Sequence, residues 1–302
     1  MDPGHGDPDR SNIRPAPGTV VAVAEPISLP TRLLVLGMAH ADGTIVPGEV
    51  LPVAAACGQT AEQVRSCLRR LVRQGQFTRD GGVYRPTAEG LVTLGMPEVR
   101  TKLAYHQDHA GRGWDRRWRL VALAVRDKAF QARLLSYGGA AISDHLFVSA
   151  HRWTTYVVAE AERLGLAGHV SIASTDDLHV NGEHDPRAIA AGLWPVDGLK
   201  ARYESFVATY QGVPEALEAM RKRRERLADS VFLPGALGVS VAFRAIFDDD
   251  PLLPPELLPR PWPGRAARDI LVRSRRLALN LREIHDRPAL FRSFDDLLEE
   301  LP

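Results

Sequence analysis

Apolar residues recur at regular spacing only from about Pro30 onward. Before that, Pro3, Pro8, Pro15, Pro17 and Pro26 break up any period, and 1–28 is predicted as a disordered tail. Leu33, Leu34, Leu36 and Met38 predict a buried helix that ends at the Asp42-Gly43 turn, and Pro47-Gly48 opens a second short helix through Ala56. Thr60 with Gln63 three residues on forms a capping box, and Val64, Cys67, Leu68, Leu71 and Val72 then make one apolar face until Gly75 stops the helix. Gln76 to Arg79 and Val83 to Arg85 flank Asp80-Gly81-Gly82, which predicts a tight β-hairpin. Pro86-Thr87 opens one more helix through Leu94, and 97–113 is read as a separate linker helix.

From Trp114 the period changes. Arg117 to Val125 predicts a strand, Lys128 to Tyr137 a helix, Ile142 to Ser149 a second strand and Thr155 to Gly165 a second helix. His169 to Ala173 and Leu178 to Asn181 read as two more strands. Such an order over about 70 residues predicts a small ferredoxin-like unit. After Asp185-Pro186 the chain reads as proline-broken helices at 187–193, 197–210, 214–228, 236–247 and 263–284. The expected class is therefore α+β, with units at 29–96, 114–185 and 186–302.

Three helices followed by a hairpin is the order of a winged helix-turn-helix, whose third helix enters the DNA major groove while the hairpin lies along the backbone or minor groove. If the apolar face packs inward, Glu62, Gln63, Arg65, Ser66, Arg69, Arg70 and Arg73 point away, with Arg65, Arg69 and Arg73 one turn apart on a ridge. Arginine reads guanine bidentately and glutamine reads adenine. The expected DNA-binding set is these seven with Thr60, Arg79, Tyr84 and Arg85. From Thr60 to Arg85, six arginines stand against Glu62 and Asp80, a net of +4 inside a chain of net +1. That asymmetry is the footprint of phosphate binding.

The remaining composition excludes other classes. With 302 residues, 45% hydrophobic and 25% charged, the chain is long enough for two or three packed domains. Only Lys102, Lys128, Lys200 and Lys222 are lysines among 38 basic residues, a skew that fits a GC-rich coding sequence. Cys57 and Cys67 are too few for a disulfide framework, and no apolar run reaches the ~20 residues of a membrane helix. The N-terminus carries Asp2, Asp7 and Asp9 without a basic signal-peptide start, so a cytoplasmic protein is expected.

The segment TAEQVRSCLRRLVRQGQFTRDGGVYRPTAEG resembles the DNA-binding domain of the PaaX-type regulators, the phenylacetate-catabolism repressor family. The resemblance continues through WDRRWRLVALAV at 114–125 and LWPVDGLKARYESFVATY at 193–210, and is densest in FRAIFDDDPLLPPELLPRPWPGRAAR at 243–268. Residues 128–150 match weakly, and the triple acid Asp248-Asp249-Asp250 departs from the family pattern. The resemblance implies a winged helix, a ferredoxin-like middle domain used in dimerisation and a helical C-terminal domain. It also implies a homodimer on double-stranded operator DNA, released by an acyl- or aryl-CoA effector.

For such an effector, arginines suit phosphate groups and aromatics suit a ring, which points to Arg202, Tyr203, Arg244, Trp262, Arg265 and Arg268, with Leu253, Leu257 and Leu258 as apolar walls. The competing reading is a metal-dependent nuclease. It rests on Asp127, placed after the first strand of a middle domain whose fold small CRISPR-associated nucleases share. His106, His109, His179 and His184 do not assemble a convergent ligand set, so no metal is expected. No catalytic residue or cofactor is expected either, since Walker, nucleophile-elbow, zincin and dinucleotide motifs are missing. The Arg221–Arg226 basic run reads as a solvated helix face.

Overall fold

The computed structural model describes residues 30–109, 113–225 and 229–279. The predicted tail lies outside them, as does the last predicted helix beyond Leu279. Three short helices come first, α1 (Thr31–Gly37), α2 (Pro47–Ala56) and α3 (Ala61–Arg73), followed by an antiparallel hairpin of β1 (Phe77–Asp80) and β2 (Val83–Pro86). Gly81 and Gly82 sit at φ +55° and +86°, the left-handed conformations that a two-residue turn of this kind demands at both central positions. Ile45 exchanges main-chain hydrogen bonds with Tyr84 at 2.9 and 3.0 Å, so the chain before α2 adds a short third rung to the hairpin.

Leu34, Ile45, Val64, Leu68, Leu71 and Phe77 are buried together and form the core of this part. Val72, expected on that face, is 37% exposed: the buried arc runs through Val64, Cys67, Leu68 and Leu71, and Val72 lies one step past its edge. Val241 and Ala278, nearly two hundred residues on, belong to the same core.

α4 (Ala88–His109) is one continuous helix of 22 residues, about 33 Å long. It crosses the boundary the sequence placed between a short helix ending at Leu94 and a linker helix from 97. Its start is locked to the hairpin. Thr87 donates its hydroxyl proton to the Gly75 carbonyl at 2.6 Å and accepts the Gly90 N–H at 3.2 Å. A Cβ at Gly90 would stand 2.0 Å from the Gln76 carbonyl oxygen, so only glycine allows this approach.

The middle of the chain runs β3 (Trp118–Leu123), α5 (Lys128–Ser136), β4 (Ala140–Ser143), β5 (Leu146–Ser149), α6 (Thr154–Arg163) and β6 (Val170–Thr175). The sheet order is β4-β5-β3-β6, antiparallel throughout. Two sequence expectations change here. The strand expected over Ile142–Ser149 is a hairpin, turned at Asp144-His145. The strand expected over Leu178–Asn181 is only an isolated bridge, Val180 with Glu183. Alternation along β3 sends Val121 and Leu123 toward α5 and α6 with Phe147, while Trp118 faces the C-terminal part. There Trp118 stacks on Trp194 at 6.3 Å.

The rest is helical: α7 (Pro186–Leu193), α8 (Val196–Tyr210), α9 (Val213–Lys222), α10 (Asp229–Phe247) and α11 (Gly264–Leu279). α9 ends at Lys222, short of the predicted 228, and Arg224 follows in a left-handed conformation. Tyr203, Phe206, Phe243, Phe247 and Ile270 form the core of this bundle, and Ala104 of α4 packs into it. α4 therefore touches all three parts of the molecule.

Candidate functional site

α3 presents a basic face because its cap and its apolar arc fix its rotation. The Gln63 N–H donates to the Thr60 hydroxyl at 3.2 Å and the Thr60 N–H to the Gln63 carboxamide at 2.6 Å. Gln63 is exposed, and its carboxamide oxygen, expected to face adenine, is engaged in the cap. Cys67 is buried beneath the helix, and burial pushes its thiol above the ordinary cysteine value. Glu62, Arg65, Ser66, Arg69, Arg70 and Arg73 are exposed on the opposite side.

Two of the six guanidinium groups have acidic partners: Arg69 meets Glu62 at 2.6 Å and Arg85 meets Asp80 at 3.6 Å. Hydrogen bonding to Arg69, and the charges of Arg69 and Arg65, hold the Glu62 carboxyl below its ordinary range. Arg65, Arg70, Arg73 and Arg79 make no ion pair with any described carboxylate. Arg79 lies 6.0 Å from the Tyr84 ring centroid. Tyr84 itself is a correction, since it is 7% exposed, packs in the core and offers its ring to Arg79 rather than to a nucleic acid. The arrangement left is a ridge of Arg65, Ser66, Arg69 and Arg73, flanked by Arg70 and by Arg79 and Arg85 on the hairpin.

The residues expected to hold an effector separate into two groups. Tyr203 is fully buried and donates its hydroxyl proton to Asp250 at 2.7 Å, Trp262 packs edge-on against it at 5.7 Å, and Arg268 is buried nearby. Arg202 pairs with Asp249 at 2.8 Å and Arg244 with Asp248 at 2.5 Å, while Arg265 is exposed. Each acid of the triple Asp248-Asp249-Asp250 thus engages one expected effector residue. Leu253, Leu257 and Leu258, expected as acyl-group walls, fill the core under the sheet.

A cavity of about 510 Å³ lies elsewhere, between α4, the sheet end near Trp114 and His151, and the segment 250–255. Arg100 of α4 dominates it, donating to the carbonyls of Ser136 (3.1 Å), Phe247 (2.7 Å) and Asp250 (2.5 Å). Burial pulls its guanidinium below the ordinary value, opposed by the charges of Asp250 and Asp248. His151 is buried opposite, its Nε2–H donating to the Pro251 carbonyl at 2.8 Å, and burial pulls its ring below the ordinary histidine value. Sequence reasoning missed both residues. Their partners lie 36 to 150 positions away, with no local signal to mark them.

Asp127 accepts the Phe130 N–H at 2.8 Å and caps α5, a helix-starting role that accounts for an aspartate after β3. His179 stacks on His184 at 5.7 Å and bonds Asp177 at 3.1 Å, while the side chains of His106 and His109 lie outside the described residues. Among the described residues no group of three or more His, Cys, Asp or Glu side chains is placed to hold a metal ion. In the basic run, Arg221 and Lys222 share Glu218, and Arg223 pairs with Glu225. No helix among the described residues is long and apolar enough to cross a membrane.

A cationic helix beside a hairpin, tied by one long helix to an antiparallel sheet and a helical C-terminal part, defines a mixed α+β chain. Residues 111–190 match the PaaX protein central Cas2-like domain, and residues 194–284 match the PaaX-like protein C-terminal domain. The chain belongs to the PaaX-type regulator family. It is similar to the transcriptional repressor PaaX of Escherichia coli (strain K12), 25% identical over 248 residues that cover 78% of this chain and 74% of that protein. Among solved structures it is similar to the uncharacterized protein Rv0674 from Mycobacterium tuberculosis, 19% identical, covering 84% of this chain and 97% of that one at a TM-score of 0.45.

Proposed function

We propose that this chain is a sequence-specific, DNA-binding transcriptional regulator of the cytoplasm, acting as a repressor and carrying no catalytic centre. In this reading α1 to α3 and the hairpin form a winged helix-turn-helix, α3 lies in the major groove and β1–β2 follows the backbone. The observation that carries it is the exposed α3 face, where Arg65, Arg70 and Arg73 stand free of described carboxylates above a fully packed core. The similar protein named as a transcriptional repressor supports the same reading.

The β-α-β-β-α-β order and the sheet order β4-β5-β3-β6 support a ferredoxin-like middle domain. One winged helix contacts few base pairs, so the working form is a two-fold dimer on an imperfect palindrome, with half-sites about one or two helical turns apart. The family resemblance favours an acyl- or aryl-CoA type of effector that lowers operator affinity. The nuclease reading loses its one named residue to the α5 cap.

The test is a gel shift with DNA from upstream of the protein's own coding sequence, with light scattering of the free and bound protein. A salt-dependent, sequence-selective shift by a dimer supports the reading, and a monomer with no selectivity contradicts it.

A further inference from the structure

We infer that Glu89 is a positioning residue for operator recognition. It clamps the start of α4 to α5 and α6, which fixes the angle at which α3 and the hairpin stand on the rest of the chain. That angle in turn sets the half-site separation a two-fold dimer accepts. The clamp is a feature of the fold, and its consequence for DNA rests on the regulator reading above.

The socket for Glu89 is charged and incomplete without it. Arg133 of α5 and Arg163 of α6 converge on Glu160, which is 7% exposed. Arg163 Nε and Nη2 donate to the two carboxylate oxygens at 2.9 and 2.7 Å, and Arg133 Nε stands 3.2 Å from one of them. Hydrogen bonding to Arg163, with the charges of Arg163 and Arg133, holds the Glu160 carboxyl below its ordinary range. Two cations therefore face one anion within the middle part. Groups withdrawn from water need their charge matched. Glu89 matches it: Arg133 donates to its carboxylate at 2.6 Å, and Arg163 Nη1 lies 3.8 Å from the other oxygen. Charge-assisted hydrogen bonds of this kind carry geometric specificity as well as energy.

Glu89 also sits where it can steer. It belongs to the first turn of α4, whose neighbours are bonded to the base of the hairpin. Thr87 holds the Gly75 carbonyl, Gln76 donates its carboxamide N–H to the Thr93 hydroxyl at 3.3 Å, and Gly90 lies against the Gln76 carbonyl. This turn moves with α3 and the hairpin. The contact of their core with the C-terminal helices is of another kind. Val241 of α10 and Ala278 of α11 enter that core and Leu217 of α9 packs against it. Apolar contact is non-directional, so this seam holds the parts together while the clamp selects one rotation about it. On DNA, moving one half-site by two base pairs turns it by about 70° around the helix axis. A fixed joint meets one spacing, and a free joint meets several.

The test uses the full-length protein as wild type, Glu89→Gln and Arg133→Gln, each shown to fold by circular dichroism and melting. The two variants break the clamp from opposite sides. Only the first also removes an acid from the start of a helix, where it favours the helix dipole. Gel shifts use the half-site found upstream of the protein's own coding sequence, as a single copy and as inverted pairs separated in one-base-pair steps through one helical turn. Hydrogen exchange of peptides covering 88–94 follows the joint without DNA. The wild type should lose about tenfold or more in affinity two base pairs from its best spacing, and both variants less than about threefold, with single-half-site affinity unchanged. Exchange over 88–94 should be about fivefold faster or more in both variants, with that of β3 unchanged. A spacing profile as sharp in both variants as in the wild type, or one broadened in Glu89→Gln alone, would overturn the positioning role. Unchanged exchange in both would overturn the clamp. A wild type that selects no half-site, or gains nothing from a pair, would overturn the dimeric regulator reading, while exchange would still decide whether Glu89 holds α4.

Discussion

The Tyr203 hydroxyl donates to the Asp250 carboxylate at 2.7 Å inside the C-terminal core, and the other oxygen of that carboxylate accepts the Leu252 N–H at 2.7 Å. The pair joins α8 to the segment roofing the cavity, 47 residues on. Burial, reinforced by the Asp250 charge, pushes the Tyr203 hydroxyl well above the ordinary tyrosine value, so it stays protonated and donating. A residue type that suggests ligand contact in the sequence is here part of the frame.

Tyr203→Phe removes that donor and leaves a buried carboxylate oxygen short of one. The expected loss is about 1–3 kcal/mol of folding stability, because the desolvation of Asp250 is no longer compensated. Urea denaturation checks it, and a variant as stable as the wild type would show that the carboxylate finds another partner.

His151 makes stability depend on pH. Its folded value lies below the ordinary 6.5 because burial disfavours the imidazolium, outweighing the Pro251 carbonyl and the Asp250 charge, which favour it, while Arg100 and Arg119 add to the effect of burial. Between the two values the unfolded chain binds the extra proton, so stability rises with pH. The contribution is complete above about pH 6.5 and is lost progressively as pH falls toward the folded value. The slope from one such proton is at most about 1.4 kcal/mol per pH unit. Melting curves from about pH 5 to pH 8 should be flatter for His151→Gln than for the wild type over the acidic half.

Gly90→Ala forces a methyl group into the Gln76 carbonyl, where the ideal position is only 2.0 Å away. α4 must shift off the hairpin, at a cost of about 1–3 kcal/mol. The accompanying expectation is a change in operator affinity, read by fluorescence anisotropy under conditions where the variant remains folded.

Glu62 holds Arg69 in the free protein. Glu62→Gln removes a negative charge from the α3 face and releases Arg69, so affinity for mixed-sequence DNA should rise and the salt slope steepen. An unchanged slope in a titration from about 50 to 200 mM salt would place Arg69 off the phosphate backbone.

The N-terminal elements were legible because their determinants are local. Thr60 and Gln63 cap α3, Val64, Cys67, Leu68 and Leu71 set its buried arc, and Gly81-Gly82 turn the hairpin. Errors arose where local pattern and tertiary context part. Ile142 to Ser149 reads as one apolar run, yet it turns at Asp144-His145, since β4 must pair back along β5. Tyr84 looks like a surface aromatic on a wing until Ile45, from a segment with no strand signal, pairs with it. The cavity was not legible at all: α4, the sheet end and the 250–255 segment are separated by tens to 150 residues, and only the fold brings Arg100, His151 and Pro251 together.

The most direct measurement is the affinity and sequence preference of the full-length protein for DNA from upstream of its own coding sequence, wild type against Arg65→Ala and Arg73→Ala. Both arginines are exposed, ion-pair-free among the described residues and remote from the core, so the variants should fold as the wild type does. The account predicts a loss of about 1–3 kcal/mol in operator binding for a substitution at a base-reading position, with relaxed sequence preference, and a uniform loss with a shallower salt slope where the contact is to phosphate. Operator affinity that survives both substitutions unchanged would contradict the assignment of α3 to the DNA major groove.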